Sequence, residues 1–230
     1  MPMYTLIIAN KNYSSWSLRP WSLMRTLDID FEELLIPFGQ QPPGGSIAER
    51  SPSGKVPCLV DGDVTVWDSL AIIEYLAERH AGVWPADAAA RAWARCAAAE
   101  MHSGFFAIRG QCGMNCGLRL RLKAMTSPLQ ADLDRLFALW RDGQARFGGP
   151  WLAGAEFTAV DAMFAPVAFR AQTYDWPMTE DAERYAVRLL ALPALQDWYA
   201  AALAETWRDA AHEKEVRQYG VVLDDLRDPG

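Results

Sequence analysis

The chain has 230 residues, of which 51% are hydrophobic and 22% charged, a composition typical of a globular protein with one or two domains. Its net charge of -7 gives no indication of the broad basic surface that proteins binding nucleic acid or anionic membranes generally need, so we expect neither partner. No run approaches the roughly 20 apolar residues of a membrane span, and no secretory signal pattern is present, so we expect a cytoplasmic protein. Four scattered cysteines predict no disulfide framework.

Residues 1–81 alternate strand and helix patterns. "YTLIIA" (residues 4–9) predicts a buried strand, and residues 15–27 predict a helix. "FEELLIPF" predicts a second strand, residues 47–50 a short helical turn, and "VPCLVDGDVTVW" a hairpin with its turn at residues 61–63. "DSLAIIEYLAERH" predicts an amphipathic helix capped by Asp68 or Ser69. The order is therefore β-α-β, a connection, and then β-β-α.

The remainder of the chain is rich in Ala, Leu and Arg at helical spacing and has almost no strand pattern. We predict a small α/β domain over residues 1–81 and an all-helical domain over residues 88–220, followed by a partly ordered tail. Thr158 and Asp161 have the spacing of a capping box, which predicts a structural role at a helix start.

Two short motifs of the α/β domain suit a peptide-like ligand. Pro57 fits either an ordinary edge position or a cis Val56–Pro57 bond, and the cis bond would turn backbone groups outward for a ligand. The helix start at Asp68 and Ser69 offers free amides for a carboxylate, and Asp68 suits an ammonium group. A zwitterion would thus find both partners within one helical turn.

Ser14 and Ser15, in "NKNYSSWSLRPW", allow three interpretations. A nucleophilic serine needs a base within reach, and none of the three histidines lies in a recognisable hydrolase motif. A second interpretation is a helix N-cap. The third is a hydroxyl that donates to a thiolate at a helix start and so lowers the pKa of that thiol.

Residues 100–117 contain His102, Arg109, Cys112 and Cys116. The spacing of the two cysteines, without a second pair nearby, does not match a zinc site, so we predict no metal. Arg109 lies on a predicted helix facing the α/β domain, where it suits an anionic ligand. His102 suits a core or interface position.

Together these motifs resemble the cytosolic glutathione S-transferase superfamily over nearly the whole chain. "SSWSLRPW" is similar to the serine motif of its zeta-like and theta-like classes, and "GKVPCLVDG" to its cis-proline strand. "VWDSLAIIEYLAERH" resembles its acidic-Ser motif and third helix, and "FTAVDAMFAPV" its capping box. The resemblance implies an α/β thioredoxin-like N-terminal domain plus an all-α C-terminal domain. It also implies a homodimer.

Carried over residue by residue, the resemblance implies that the hydroxyl of Ser14, with Ser15 as a close second, holds the thiolate of glutathione as co-substrate. Val56 would pair through its backbone with the cysteinyl part, and Pro57 would hold the cis bond. The other expected glutathione contacts are Asp68 and Ser69 at the γ-glutamyl end, and Lys55 with Gln40 or Gln41 at the glycyl end. The expected second-substrate pocket is lined by Trp16, Phe105, Phe106 and Arg109.

The implied function is a glutathione transferase that activates the thiolate for attack on an electrophilic, largely apolar second substrate. The alternatives are a glutathione-dependent isomerase of the maleylacetoacetate isomerase (zeta) kind and a non-catalytic glutathione-binding stress protein. Trp16 stands where the zeta-like motif has cysteine, which argues against the isomerase. Ser14 and the Asp68–Ser69 pair argue against the non-catalytic protein. No cysteine lies between residues 1 and 57, so thiol–disulfide exchange at the first helix is not expected.

Overall fold

A four-stranded mixed sheet organises the N-terminal part of the chain. The computed structural model describes residues 4–40 and 45–227. The strands are β1 (Tyr4–Ile8), β2 (Phe31–Leu35), β3 (Cys58–Asp61) and β4 (Val64–Trp67), and their spatial order is β2-β1-β3-β4. β1 and β2 are parallel, whereas β3 is antiparallel to both β1 and β4.

The helices that accompany this sheet are α1 (Ser15–Thr26), α2 (Ile47–Arg50) and α3 (Ser69–Ala77). α1 forms the crossover between the parallel strands β1 and β2, and its Leu18 and Leu23 side chains are fully buried. Gly62 closes the turn between β3 and β4 with a φ of 56°, which glycine adopts without strain. The predicted strands, hairpin and helices are confirmed, with ends shifted by at most a few residues.

The C-terminal part is mainly helical. Its elements are α4 (Ala88–Ser103), α5 (Phe106–Gln111), β5 (Leu118–Leu122), α6 (Ser127–Phe147), α7 (Ala159–Tyr174), α8 (Glu180–Leu190), α9 (Pro193–Ala204), α10 (Ala210–Tyr219) and β6 (Gly220–Asp225). α7 is buried on almost every face because Ala, Val, Phe and Met occupy all of its sides. It packs against α1 as well as α4 and α8, so it joins the two parts of the chain.

The predicted tail contains a strand, β6, that the sequence analysis did not anticipate. β6 pairs antiparallel with β5, with Leu122 opposite Gly220 and Leu118 opposite Asp225. The two strands lie about a hundred residues apart in the sequence, and such pairing leaves no local pattern that would predict it.

The start of α7 is fixed by the fully buried carboxylate of Asp161. Its Oδ2 accepts the backbone N–H of Thr158 at 3.0 Å, as predicted for a capping box. Its Oδ1 accepts the N–H of Leu152 at 3.0 Å and the hydroxyl of Tyr185 at 2.8 Å. Burial raises the pKa of Asp161 to about 6, although these three donors oppose the shift.

The chain therefore has the expected class of fold, a thioredoxin-like α/β part followed by a helical part. α3 ends at Ala77 and α4 begins at Ala88, and the domain limits of 81 and 88 stay predictions. Within residues 4–40 and 45–227, no helix combines the length and the apolar character needed to cross a membrane.

Candidate functional site

The loop between β1 and α1 is buried and held by side chains of the helical part. The carboxylate of Glu205, directly after α9, accepts the backbone N–H groups of Lys11 and Asn12 at 2.5 and 3.2 Å. The indole N–H of Trp198 donates to the carbonyl of Lys11 at 2.9 Å. The position of the first turn of α1 is therefore fixed by both parts of the chain.

The two serines at this helix start have different partners. Ser14 occupies the N-cap position, but its hydroxyl donates to Oγ of Ser17 at 2.7 Å and makes no bond to the α1 backbone. Oγ of Ser15 accepts a hydrogen bond from Nη2 of Arg170 at 3.2 Å. A hydroxyl that accepts from a guanidinium keeps its own hydrogen for a third group. Ser15 is thus free to donate, whereas Ser14 donates to Ser17.

Arg170, on α7, is buried at the base of this site. Its Nη1 donates to the carbonyl of Cys112 at 2.7 Å and to that of Ile108 at 3.4 Å. Burial lowers the pKa of the Arg170 guanidinium, and Arg109 lowers it further. Both groups stay cationic at neutral pH, because an arginine is not deprotonated in proteins.

Two adjoining cavities open beside these residues. The serine cavity, of about 520 Å³, is lined among others by Ser14, Ser15, Val56, Arg109, Arg170 and His212. The aspartate cavity, of about 550 Å³, is lined among others by Pro57, Asp68, Ser69 and His102. Trp16, Lys55, Val56 and Arg109 line both, so the two cavities form one continuous concave site.

The Val56–Pro57 peptide bond is cis, as the resemblance implied. Val56 lies where the two cavities meet, immediately before β3. Among the described residues, neither the N–H nor the C=O of Val56 has a hydrogen-bond partner. Both backbone groups are therefore available to an extended peptide-like ligand.

Asp68 caps α3 in the left-handed region, with a φ of 75°. Its Oδ1 accepts the backbone N–H groups of Leu70 and Ala71 at 2.9 and 3.4 Å. Nε2 of His102, on α4, lies 2.8 Å from Oδ2 of Asp68. Burial alone would raise the pKa of Asp68, but the hydrogen bonds from His102 and the two amides outweigh it and lower the pKa. The carboxylate is therefore ionised and oriented.

Ser69 is the first residue of α3 and lies in the wall of the aspartate cavity. Its Oγ is buried and has no hydrogen-bond partner within the described part of the chain. A buried hydroxyl without a partner is costly, and a ligand oxygen would satisfy it. Asp68 and Ser69 thus offer an acceptor and a donor side by side.

The other expected site residues lie in several different environments. Lys55 and Trp16 line both cavities, as expected. Gln40 is exposed and lines neither cavity, and Gln41 falls outside the described residues. The expected second-substrate pocket also included three residues that lie in different places in the structure: Phe105, Phe106 and Arg109.

Phe105 and Phe106 line neither cavity, because the chain leaves helical geometry between α4 and α5 at this point. α4 ends at Ser103, Phe105 has a left-handed φ of 54°, and α5 begins at Phe106. The break turns Phe105 into the core and leaves Phe106 72% exposed. Arg109 is the one of the three that reaches the cavities, and its guanidinium carbon lies 5.0 Å from the Phe106 ring centroid.

Sequence reasoning missed His212, which stands in the wall of the serine cavity. Its ring stacks with those of Tyr13 and Phe38, at centroid distances of 5.1 and 5.0 Å. Its Nδ1 lies 2.8 Å from Oδ1 of Asp209, the N-cap of α10. The Asp-x-x-His spacing at a helix start was the available signal. Arg170 could not be identified in this way, because the sequence of α7 has the pattern of an apolar core helix.

The cysteines considered for metal binding are buried. Sγ of Cys116 donates to the carbonyl of Lys11 at 3.7 Å, and burial raises the pKa of Cys112 to about 12. No group of three or more His, Cys, Asp or Glu side chains within residues 4–40 and 45–227 is arranged to hold a metal ion.

Comparison with protein families gave two matches that cover most of the chain. The family "Glutathione S-transferase, N-terminal domain" matches residues 13–79, and "Glutathione S-transferase, C-terminal domain" matches residues 86–201. The second match alone spans half of the chain.

Two curated relatives are similar over different lengths. The chain is 41% identical over 58 residues to the dichloromethane dehalogenase of Methylophilus leisingeri, a match that covers 23% of this chain and 21% of the dehalogenase. It is 27% identical over 172 residues to a probable maleylacetoacetate isomerase of Vibrio cholerae, covering 70% and 76% of the two chains.

Among solved structures, a glutathione transferase homolog from Burkholderia with bound glutathione superimposes with a TM-score of 0.65. That match covers 88% of this chain and 99% of the other, at 22% sequence identity. At this identity the superposition supports the fold, in agreement with the sheet order and the helical part described above.

Proposed function

The chain belongs to the glutathione S-transferase family, and on that premise we propose that it is a glutathione transferase acting on an electrophilic second substrate. One observation carries the proposal. The groups that suit each part of glutathione line one continuous site, and several of them have no partner within the described part of the chain.

The aspartate cavity fits the γ-glutamyl end of glutathione. Asp68 is ionised and suits the ammonium group, while the Oγ of Ser69 and the start of α3 suit the carboxylate. The free backbone groups of Val56, preceding Pro57, suit the cysteinyl part. Lys55 lines both cavities and suits the glycyl carboxylate, with a contribution from Gln40 or Gln41 retained as a prediction.

The serine pair would stabilise the glutathione thiolate. We propose Ser15 as the donating hydroxyl, because its oxygen accepts from Arg170 and its hydrogen is free, with Ser14 as the second candidate. The positive end of the α1 dipole adds to the effect. Glutathione would supply the nucleophilic sulfur, which forms a carbon–sulfur bond while the leaving group departs with the bonding electrons.

A zeta-type isomerase is the second candidate function. The match to a probable maleylacetoacetate isomerase over 76% of that protein favours it, whereas Trp16 in the place of cysteine does not. The partial match to a dichloromethane dehalogenase instead favours an electrophile that loses halide. The same proposal includes a homodimer, a cytoplasmic location and a role in detoxification. The remaining alternative is a non-catalytic glutathione-binding stress protein.

Binding and turnover together test the proposal. We expect the protein to be retained on immobilised glutathione, to be eluted by free glutathione, and to conjugate at least one compound in a panel of haloalkanes, activated aryl halides and a maleyl compound. Asp68→Asn should weaken retention, whereas Asp63→Asn, in the exposed hairpin turn, should not. Isomerisation of the maleyl compound without loss of glutathione would favour the isomerase. Retention without any turnover would favour the non-catalytic protein, and loss of retention by folded protein would contradict glutathione binding.

A further inference from the structure

Arginine side chains gather around the serine cavity of an otherwise acidic protein. Arg109 and Arg170 line it, as does Lys55, and Glu215 is the one acidic residue among the lining residues that the structure describes. The net charge of the whole chain is -7. The cavity therefore carries a local charge opposite to that of the molecule, which is what recognition of an anion requires.

Among the described residues, no carboxylate is in ion-pair contact with either cavity arginine. Neither forms an ion pair within 4.0 Å with any acidic group in the described part of the chain. Arg170 is bonded to neutral acceptors, the carbonyls of Ile108 and Cys112 and the hydroxyl of Ser15. Arg109 is bonded to the carbonyl of His102 at 2.9 Å. Such bonds orient the guanidinium groups without neutralising them.

A third arginine lies directly behind the cavity wall. Arg19 is fully buried and stacks on Trp16, with its guanidinium carbon 3.9 Å from the ring centroid. Its Nε and Nη1 are buried without a hydrogen-bond partner among the described residues. Burial lowers the pKa of Arg19, and the charges of Arg170 and Arg109 lower it further while Asp68 opposes them, so the three arginines repel one another. A bound anion would relieve that repulsion.

Glutathione as proposed above uses Lys55 but neither of the two cavity arginines. Its glycyl carboxylate is assigned to Lys55 and its γ-glutamyl carboxylate to Ser69 and the start of α3, so neither carboxylate is assigned to Arg109 or Arg170. Arg170 binds Ser15, and Arg109 lines both the serine cavity and the aspartate cavity. Both arginines are therefore left for a second substrate held beside Ser15. Trp16 forms an apolar wall beside them.

We propose that the second substrate is an acidic electrophile whose carboxylate binds between Arg109 and Arg170 while its apolar body packs on Trp16. This inference rests on the proposed glutathione transferase function and narrows the expected substrate from a largely apolar compound to a carboxylate-bearing one. Charge-assisted hydrogen bonds to arginine are stronger than neutral ones and are often bidentate.

A matched pair of substrates tests the inference. 4-Chloro-3,5-dinitrobenzoate and its methyl ester react alike: the glutathione sulfur bonds to the ring carbon, and chloride leaves with the electron pair of the broken bond. We expect the acid to have a KM about tenfold below that of the ester. Arg109→Met should bring the two KM values together, whereas Arg141→Met, at an exposed arginine paired with Asp181, should leave the preference unchanged.

A binding measurement decides the inference without turnover. In calorimetric titrations, unreactive 3,5-dinitrobenzoate should bind about tenfold more tightly than its methyl ester, and Arg109→Met should remove the difference. Arg170→Lys provides a second variant that keeps the buried charge but loses the forked geometry, and it should weaken binding of the acid alone.

Equal or tighter binding of the ester would overturn the inference, and conjugation of that ester would still support a glutathione transferase. No conjugation of either compound would instead count against the proposed function, while the titrations would still decide the anion site. An Arg109→Met variant with a raised KM for glutathione and an unchanged acid preference would assign the arginine to glutathione and overturn the inference.

Discussion

Nε2 of His102 lies 2.8 Å from Oδ2 and 3.1 Å from Oδ1 of Asp68, so a side chain of α4 holds the residue that caps α3. The contact crosses from the helical part to the α/β part at the wall of the aspartate cavity. It orients the carboxylate proposed to bind the ammonium group of glutathione. His102 therefore affects the site through Asp68, as a positioning residue.

We expect His102→Ala to raise the KM for glutathione about three- to tenfold with little change in kcat, because Asp68 keeps only its two backbone donors. Arg95→Ala is the matched control, since Arg95 on α4 binds Glu74 on α3 at 3.1 Å outside both cavities. Steady-state kinetics at varied glutathione concentrations measures KM and kcat for both variants. An equal effect of the two variants would mean that His102 serves only helix packing.

Ser15→Ala should raise the pKa of the bound glutathione thiol by about one to two units and lower turnover at about pH 6.5 by roughly ten- to a hundredfold. Ser14→Ala should have a smaller effect, because the Ser14 hydroxyl donates to Ser17. The ultraviolet absorbance of bound thiolate and the pH dependence of kcat/KM report the shift. A larger effect of Ser14→Ala would make Ser14 the donor, as the resemblance first implied.

Asp161→Ala should lower the free energy of unfolding by about 3 to 5 kcal/mol, because it leaves the donors of Leu152, Thr158 and Tyr185 unpaired in the core. Asp134→Ala, which removes an exposed contact with Gln130, should cost less than about 0.5 kcal/mol. Urea denaturation followed by circular dichroism compares the free energies of unfolding of the two variants. Similar midpoints for the two variants would show that the buried network contributes little.

The Asp161 carboxyl should also make stability depend on pH. Its pKa is raised to about 6 in the folded protein, so the folded state holds the proton more tightly than the unfolded state does. Its stabilising contribution is therefore complete below about pH 4 and is lost as the pH rises through about 6. The stability advantage of the native protein over Asp161→Asn should shrink between about pH 4.5 and pH 7. An advantage that grows with pH would contradict the raised pKa.

One of the four cysteines should react rapidly with a disulfide reagent in the native protein. Cys96 is exposed, whereas Cys58, Cys112 and Cys116 are buried, and burial raises the pKa of each of these three thiols. Release of thionitrobenzoate should show one fast thiol natively and four after unfolding. Cys96→Ser should abolish the fast reaction, and a persistent fast thiol in that variant would mean that a buried cysteine becomes accessible.

Local patterns were sufficient to predict the sheet, the hairpin and α3, because each depends on alternation, a turn and a cap within a short segment. The Asp68–Ser69 pair was found for the same reason. Phe105 was misplaced because the sequence analysis did not anticipate the break between α4, which ends at Ser103, and α5, which begins at Phe106.

Contacts between distant segments could not be predicted from single residues. The β5–β6 pair, the bond between Arg170 and Ser15, and the position of His212 each depend on how the helical part folds back onto the α/β part. α7 reads as an apolar core helix, so nothing local distinguishes Arg170 as a site residue. The resemblance to a family identified Ser14 and Ser15 as site residues. Only the structure shows that the two serines have different hydrogen-bond partners.

The hydrogen bond from Arg170 to Ser15 has a consequence for how such proteins diversify. Exchanging the helical part for that of a relative would change the substrate pocket. It would also change the residue that binds the Ser15 hydroxyl at the start of α1. Chimeras made at the junction between α3 and α4 would therefore change intrinsic sulfur reactivity together with substrate preference, and the two traits would be inherited as one unit.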